Sequence, residues 1–291
     1  MKQMLCVFAH PDDESFSCGL TIPKYVADGW TVTLVVATAG QKGQVGPFGE
    51  MTWDELASVR KEEVHKAALV LGIKDVVILP YSDGALKELP SGEFEEVLYK
   101  KMVEMSPDIV ITHDTTGISN HPDHIRVCFS TTYAFQKYAK EIKDTRQFLA
   151  DVENRDPEVK KRHFVSRHNY ALRQERFTEI IESDTTPKLY YTCIPRSVVF
   201  FNQGKENMPK ESFGKSLMGT ADKFITTVID GTDEKLIKLQ ALAKHKSQSA
   251  DVDRFYENEK NPMITREFFI LRMHGINEVY MGKNDVMSDH L

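Results

Sequence analysis

Residues 9–14 read Ala-His-Pro-Asp-Asp-Glu and residues 121–124 read His-Pro-Asp-His. Each cluster follows an apolar run and precedes a stretch with helical spacing, so each sits where a strand hands over to a helix. Such strand ends gather at one edge of an open parallel sheet, where ligands normally bind. His10, Asp12, Asp13, His121, Asp123 and His124 are therefore expected to converge. Acidic residues in a first helical turn also complement the helix dipole, and one His-Pro-Asp alone would be a weak signal. Two of them at equivalent topological positions are harder to attribute to capping, because histidine has no preference for helix N-termini.

Two imidazoles and a carboxylate, with a fourth position left for water, form the donor set of a catalytic zinc. The set is not selective, and Fe²⁺, Co²⁺ or Mn²⁺ are substitutes it would accept. Such a metal acidifies water and polarises a carbonyl. Asp12, beside Asp13, is then placed to take a proton. His121, if cationic, could stabilise an oxyanion and protonate a leaving amine, with Asp123 holding its ring and raising its pKa.

The elements that must position these residues alternate. Strands are expected at Met4–Ala9, Thr31–Ala37, Asp75–Leu79 and Asp108–Thr112. Helices are expected at Ser17–Asp28, Asp54–Leu71, Glu93–Met105 and Pro122–Tyr138. Further strands are expected at Leu189–Ile194, Ser197–Phe201 and Arg266–Met273, and a helix at Asp233–Lys244. Repeated strand–helix alternation with short connections implies an α/β fold: a Rossmann-like, doubly wound, mostly parallel sheet with helices on both faces. Residues 1–291 read as one domain, with a charged helical insertion or flap at about 141–188.

With these elements in place, a resemblance can be stated. The two clusters, together with Arg60-Lys61-Glu62-Glu63…Leu71-Gly72, Tyr81-Ser82-Asp83-Gly84 and His245-Lys246-Ser247-Gln248, resemble the PIG-L (LmbE-like) deacetylases. The matches run along most of residues 4–137 and recur at 245–248. The resemblance implies a zinc-dependent N-deacetylase acting on an N-acetylglucosamine-type sugar. It implies one zinc on His10, Asp13 and His124, Asp12 as general base, His121 as acid or electrostatic catalyst, and substrate contacts from Arg60 and Asp83. Some members carry a tyrosine near the second motif; this chain has Gly117-Ile118-Ser119-Asn120 there, so Asn120 or Ser119 is expected to donate to the substrate instead. A metal-dependent phosphoesterase and a non-catalytic nucleotide- or glycan-binding module are the rival readings.

Bulk composition agrees with a small-molecule enzyme. Hydrophobic residues make up 41% and charged residues 27%, and the net charge of −6 gives no electrostatic reason for nucleic acid as a partner. No apolar run approaches the ~20 residues of a membrane helix. Four cysteines without CxxC spacing read as buried free thiols, which points to a cytoplasmic setting. A homo-oligomer is compatible with all of this.

Gly40, Gly43, Gly46 and Gly49 read as a flexible rim loop, and Arg60 with Glu63 as an i,i+3 ion pair if not ligand contacts. His245 alone would be an ordinary core or surface histidine, and Phe213-Gly214-Lys215-Ser216 is a poor P-loop match, because Pro209 stands where that motif's first glycine belongs.

Overall fold

The computed structural model describes residues 2–153, 175–206, 208–257, 260–279 and 288–291. Its first strand, β1 (Gln3–Phe8), alternates two buried faces. Leu5, Val7 and Ala9 enter one core cluster, while Met4, Cys6 and Phe8 enter another. A strand buried on both sides must be sandwiched by helices, and it is. The first cluster is closed by α4 (Glu93–Met105), α6 (Pro122–Glu153) and α7 (Glu175–Glu182). The second is closed by α2 (Thr21–Ala27), α3 (Trp53–Leu71) and α9 (Lys235–Leu242).

The parallel part of the sheet runs β3 (Asp75–Tyr81), β2 (Thr31–Thr38), β1, β4 (Ile109–His113), β5 (Lys188–Cys193). β9 (Arg266–His274) then pairs antiparallel to β5, β8 (Thr227–Asp230) pairs with β9, and β10 (Asn277–Glu278) closes the edge. The order 3-2-1-4-5 reverses direction between β1 and β4, which opens a crevice beyond their C-terminal ends. Both histidine clusters lie there. The expectation of a mostly parallel, doubly wound α/β sheet holds.

Several elements differ from the sequence reading. The stretch expected as one helix over 17–28 is two: α1 (Asp13–Cys18) begins earlier, and the chain breaks before α2. The break is fixed by Glu267 of β9, whose carboxylate accepts from Leu20 N, Thr21 N and Thr21 Oγ1 and thereby caps α2. Lys238 Nζ lies 2.8 Å from the same carboxylate, and both side chains are buried. Lys238→Met is therefore expected to destabilise toward the lower end of the ~3–5 kcal/mol typical of breaking a buried pair, since Glu267 keeps three donors. Urea unfolding that gives an unchanged midpoint would remove the pair from the stabilising set.

Residues 197–201, expected as a strand, belong to α8 (Arg196–Gln203), which begins after Pro195. The Val-Val-Phe-Phe run has no period-2 alternation, and its β-branched and aromatic content alone suggested a strand. The helix from Pro122 extends to Glu153, well past the expected Tyr138. It covers the start of the expected insertion at 141–188, and α7 packs Phe177, Ile180 and Ile181 into the core. Residues 154–174 of that segment lie outside the described residues. Sequence analysis also missed β8, α10 (Ser249–Glu257) and the two-stranded hairpin β6 (Glu211–Ser212) and β7 (Lys215–Ser216). The poor P-loop match is this hairpin, turning at Phe213 and Gly214, both at positive φ. All four cysteines are buried and free. No helix among the described residues is long and apolar enough to cross a membrane.

Candidate metal centre

The β1 end brings His10 and Asp13 to within reach of His124 from the first turn of α6. His10 Nδ1 and His124 Nε2 are 3.1 Å apart, His124 Nε2 and Asp13 Oδ1 3.4 Å, and His10 Nδ1 and Asp13 Oδ2 3.9 Å. Donors about 2.0–2.2 Å from a tetrahedral zinc stand about 3.3–3.5 Å from one another. The three side chains thus converge near ligand spacing, with His124 meeting Asp13 Oδ1 and His10 meeting Oδ2. Asp13 keeps its orientation because Oδ2 accepts from His10 N at 2.8 Å.

Other histidines and carboxylates crowd the same place, and three overlapping sets come close enough to hold an ion: His10–His121–His124, Asp13–His113–His124 and His10–Asp83–Asp123. Hydrogen bonds already occupy several of their donor atoms. His113 Nε2 accepts the Ala9 N–H at 3.2 Å, which occupies the lone pair a metal would need. Asp123 accepts from Gly84 N and Leu86 N, and Asp83 Oδ2 from Lys42 N. His121, the third member of a set with His10 and His124, accepts the Asp123 N–H on Nδ1, which leaves its proton on Nε2.

His10 Nε2 lies 3.1 Å from Asp83 Oδ1 and 3.4 Å from Asp123 Oδ2. These are ion-pair distances without an aligned N–H···O bond. A carboxylate behind a ligating imidazole is the usual outer partner of a metal-bound histidine. Burial alone would lower the His10 pKa, but Asp123, Asp83 and Asp13 override it and raise it to about 10. Among protein groups alone, then, the three carboxylates keep a positive charge at the spot where a cation would be held. Asp83 itself is held down to about 2, against its burial, chiefly by His10. Burial puts His124 well below the usual histidine range, with His113 and His10 adding to it against the pull of Asp13. A neutral His124 is the ligating form.

Asp12 has φ 117°, a conformation non-glycine residues avoid, and its side chain makes no capping bond to α1. Asp13 and Glu14 are buried, and Asp12 is half-buried. None of the three acids is an ordinary first-turn charge. Asp12 Oδ2 accepts from Arg60 Nη2 at 3.0 Å. Burial raises its pKa to about 7, against Arg60 and with help from Asp13. Glu14 turns away to a fully buried pair with His245, Nε2 to Oε1 2.8 Å. His245 thus reaches the centre from a segment 231 residues further along the chain, as a neighbour of Asp12 and not as a donor to the metal cluster.

Arg60 also donates to Gly40 O and Pro11 O, so it locks the loop after β2 to the first motif. Glu63 bonds Ser247 N and Oγ, so the expected Arg60–Glu63 helical pair does not form. Gly40 and Gly43 are there for close approach and not for looseness: a Cβ at either would lie within 2.5 Å of the Arg60 guanidinium.

Two expected roles require correction. The Asp123 carboxylate does not hold the His121 ring; it caps residues 84–86 and faces His10, and Asp123 meets the ring through its backbone N–H. Burial and the His10 charge then lower the His121 pKa, with Asp123 and Asp13 only partly opposing them. His121 is accordingly a neutral Nε2–H donor rather than an imidazolium. Asn120, expected to contact substrate, instead donates to the carbonyls of Ser212, Lys215 and Ser216 and ties down the β6–β7 hairpin. Ser119, the alternative donor, lines the pocket.

The pocket over this cluster has a volume of about 540 Å³, and Lys42, Lys87 and Phe213 stand on its wall with the residues above. Phe213 meets the His121 ring edge-on at 4.6 Å between centroids. Two supports went unread in the sequence. His113 stacks under His124 at 3.9 Å. Asp114 accepts from Thr116 N, Ile118 N and Thr220 Oγ1 and shapes the loop between β4 and the second motif. The signal for both was two polar residues ending an otherwise apolar strand.

The fold and the site together define a Rossmann-like domain with a cluster of histidine and aspartate side chains at its topological switch point. The sequence profile of the PIG-L family, described as GlcNAc-PI de-N-acetylase, matches residues 5–135. A probable N-acetyl-alpha-D-glucosaminyl L-malate deacetylase 2 of Bacillus anthracis is 31% identical over 161 residues, covering 54% of this chain and 70% of the relative. The 1D-myo-inositol 2-acetamido-2-deoxy-alpha-D-glucopyranoside deacetylase 2 of Catenulispora acidiphila is 28% identical over 285 residues, 89% of this chain and 84% of the relative. Among solved structures, the N,N'-diacetylchitobiose deacetylase of Pyrococcus horikoshii superposes with a TM-score of 0.58 at 24% identity, covering 94% of this chain and 85% of that one. The 4-carboxy-2-hydroxymuconate hydratase of Pseudomonas putida KT2440 gives 0.59 at 15% identity, covering 96% and 99%. One fold thus carries hydrolytic and hydratase chemistry, and only the site can choose between them. The chain belongs to the PIG-L (LmbE-like) deacetylase family and is an amidohydrolase.

Proposed function

We propose that the chain is a zinc-dependent deacetylase that removes the N-acetyl group from an N-acetylglucosamine-type sugar conjugate. The observation that carries this is the convergence of His10, Asp13 and His124, with Asp12, bound by Arg60, beside them in an open pocket. A zinc ion held by those three groups would supply a Lewis acid for the amide carbonyl and acidify a water.

The chain's residues supply the rest. Asp12 takes the proton of the attacking water, and Arg60 on Oδ2 leaves Oδ1 for it. A pKa near the operating pH suits a group that must accept a proton and pass it to the departing amine. His121, with its proton fixed on Nε2 by the Asp123 backbone, donates to the oxygen as charge develops there. Asp83 and Asp123 hold His10 in place, and Arg60, Lys42 and Ser119 line the pocket that receives the sugar.

The test is acetate and free-amine release from N-acetylglucosamine and its glycosides by zinc-loaded protein. Phosphate release from sugar phosphates without acetate would favour a phosphoesterase, and release of neither would favour a binder. Asp83→Asn should weaken zinc binding by about 10–100-fold, because the neutral amide no longer orients His10. Chelator competition giving the wild-type affinity would restrict Asp83 to substrate contact.

A further inference from the structure

A second cavity of about 430 Å³ adjoins the metal pocket, and Phe16, Ser119 and Asp251 line both. The hairpin forms part of the partition: Phe213 faces the metal pocket and Ser212 the second cavity. Neighbours hold several of the charged and amide groups around the cavity, and Ser17, Ser119, Thr192 and Ser212 add hydroxyls to its wall. Asp251 pairs with Arg254 at 3.1 Å, Glu267 is held by Lys238 and α2, and Asn202 donates to Asn261. The apolar part of the wall is formed by Ile118, Met208, Leu217, Met263 and Phe268. Apart from Leu217 these are only half-buried, at the margin of a small core cluster around Val198 and Val199. Ile118 holds φ 61° and ψ −59°, strained for a β-branched residue, and Asp114 fixes it there. The volume lies within the roughly 300–1,000 Å³ of small-molecule sites.

We propose that this cavity is the subsite for an apolar group joined to the sugar, so that the preferred substrates are N-acetylglucosaminides with a hydrophobic aglycone. The proposal rests on the deacetylase reading above and adds the substrate class. A sugar placed with its acetamide over the triad has its remaining substituents in the shared pocket mouth, and an apolar substituent that turns past Ser119 enters the second cavity. Hydrocarbon gains about three- to fourfold in affinity per methylene buried, so the gain should grow with chain length until the space is filled.

The experiment compares methyl, butyl, hexyl and phenyl N-acetylglucosaminides, both anomers, on zinc-loaded protein. In at least one anomer, kcat/KM should rise at least tenfold from methyl to hexyl. Met263→Trp, which fills the cavity, should bring the hexyl-to-methyl ratio close to one, and Leu217→Ser should lower it if the tryptophan does not fold. A flat series, a greater gain from a polar aglycone, or a ratio that survives both substitutions would overturn the subsite while leaving the deacetylase standing. If no N-acetylglucosaminide is hydrolysed, the functional reading fails. Calorimetric binding of hexyl glucoside then still decides the cavity: binding abolished by Met263→Trp supports it, and no binding overturns it.

Discussion

A His124→Ala chain is expected to lose its metal and, with it, essentially all deacetylation. Removing an outer partner of a metal ligand costs about 10–100-fold in affinity, and removal of one of only three protein ligands should exceed that. Neighbouring imidazoles do not offer a replacement. His113 spends Nε2 on the Ala9 N–H, and His121 spends Nδ1 on the Asp123 N–H. His121→Ala is therefore the informative partner variant: it should keep a full metal complement while losing rate. Zinc content after dialysis, together with competition against a chelator, measures both. A full complement in His124→Ala would refute the assigned coordination, and metal loss in His121→Ala equal to that in His124→Ala would move His121 into the ligand set.

How far the sequence disclosed this site depends on the distance over which each residue acts. The convergence of His10, Asp13 and His124 followed from strand–helix alternation and two motifs, because the switch point of a doubly wound sheet is set by topology. The roles of Asp123, Asn120 and Glu63 did not follow. Each is decided by which backbone N–H or carbonyl happens to face it: residues 84–86 for Asp123, the hairpin for Asn120, Ser247 for Glu63. Those partners lie 37 to 184 residues away, or in a hairpin of two-residue strands, and leave no periodic trace. Glu14 and His245 show the same limit. Glu14 looked like a helix-end charge and His245 like an ordinary core or surface histidine, and their buried pairing was visible only once α1 and the segment after α9 were placed together. The Ser197–Phe201 error is local instead: β-branched and aromatic content favoured a strand, and tertiary burial of Val198, Val199 and Asn202 on one face made it a helix.

Asp12→Asn is the substitution expected to separate chemistry from metal binding most cleanly. Asp12 sits beside Asp13, but its Oδ2 is held by Arg60, so the amide should leave zinc content unchanged. Turnover should fall by about 10²–10⁴, the usual contribution of a positioned general base. The pH profile gives an independent check. In the wild type Asp12 must be ionised to accept a proton, so kcat/KM should decline as pH falls through its pKa. Burial raises that pKa to about 7 among protein groups alone, and a bound cation would lower it, so the acid limb belongs at or below pH 7. The asparagine cannot titrate, and the limb should vanish from the residual activity. Zinc held constant across the pH range keeps metal loss from imitating this limb. An acid limb that persists unchanged in Asp12→Asn would assign the proton transfer to another group, with His121 the nearest candidate. Loss of zinc from the variant would instead place Asp12 among the ligands and require a new assignment of the base.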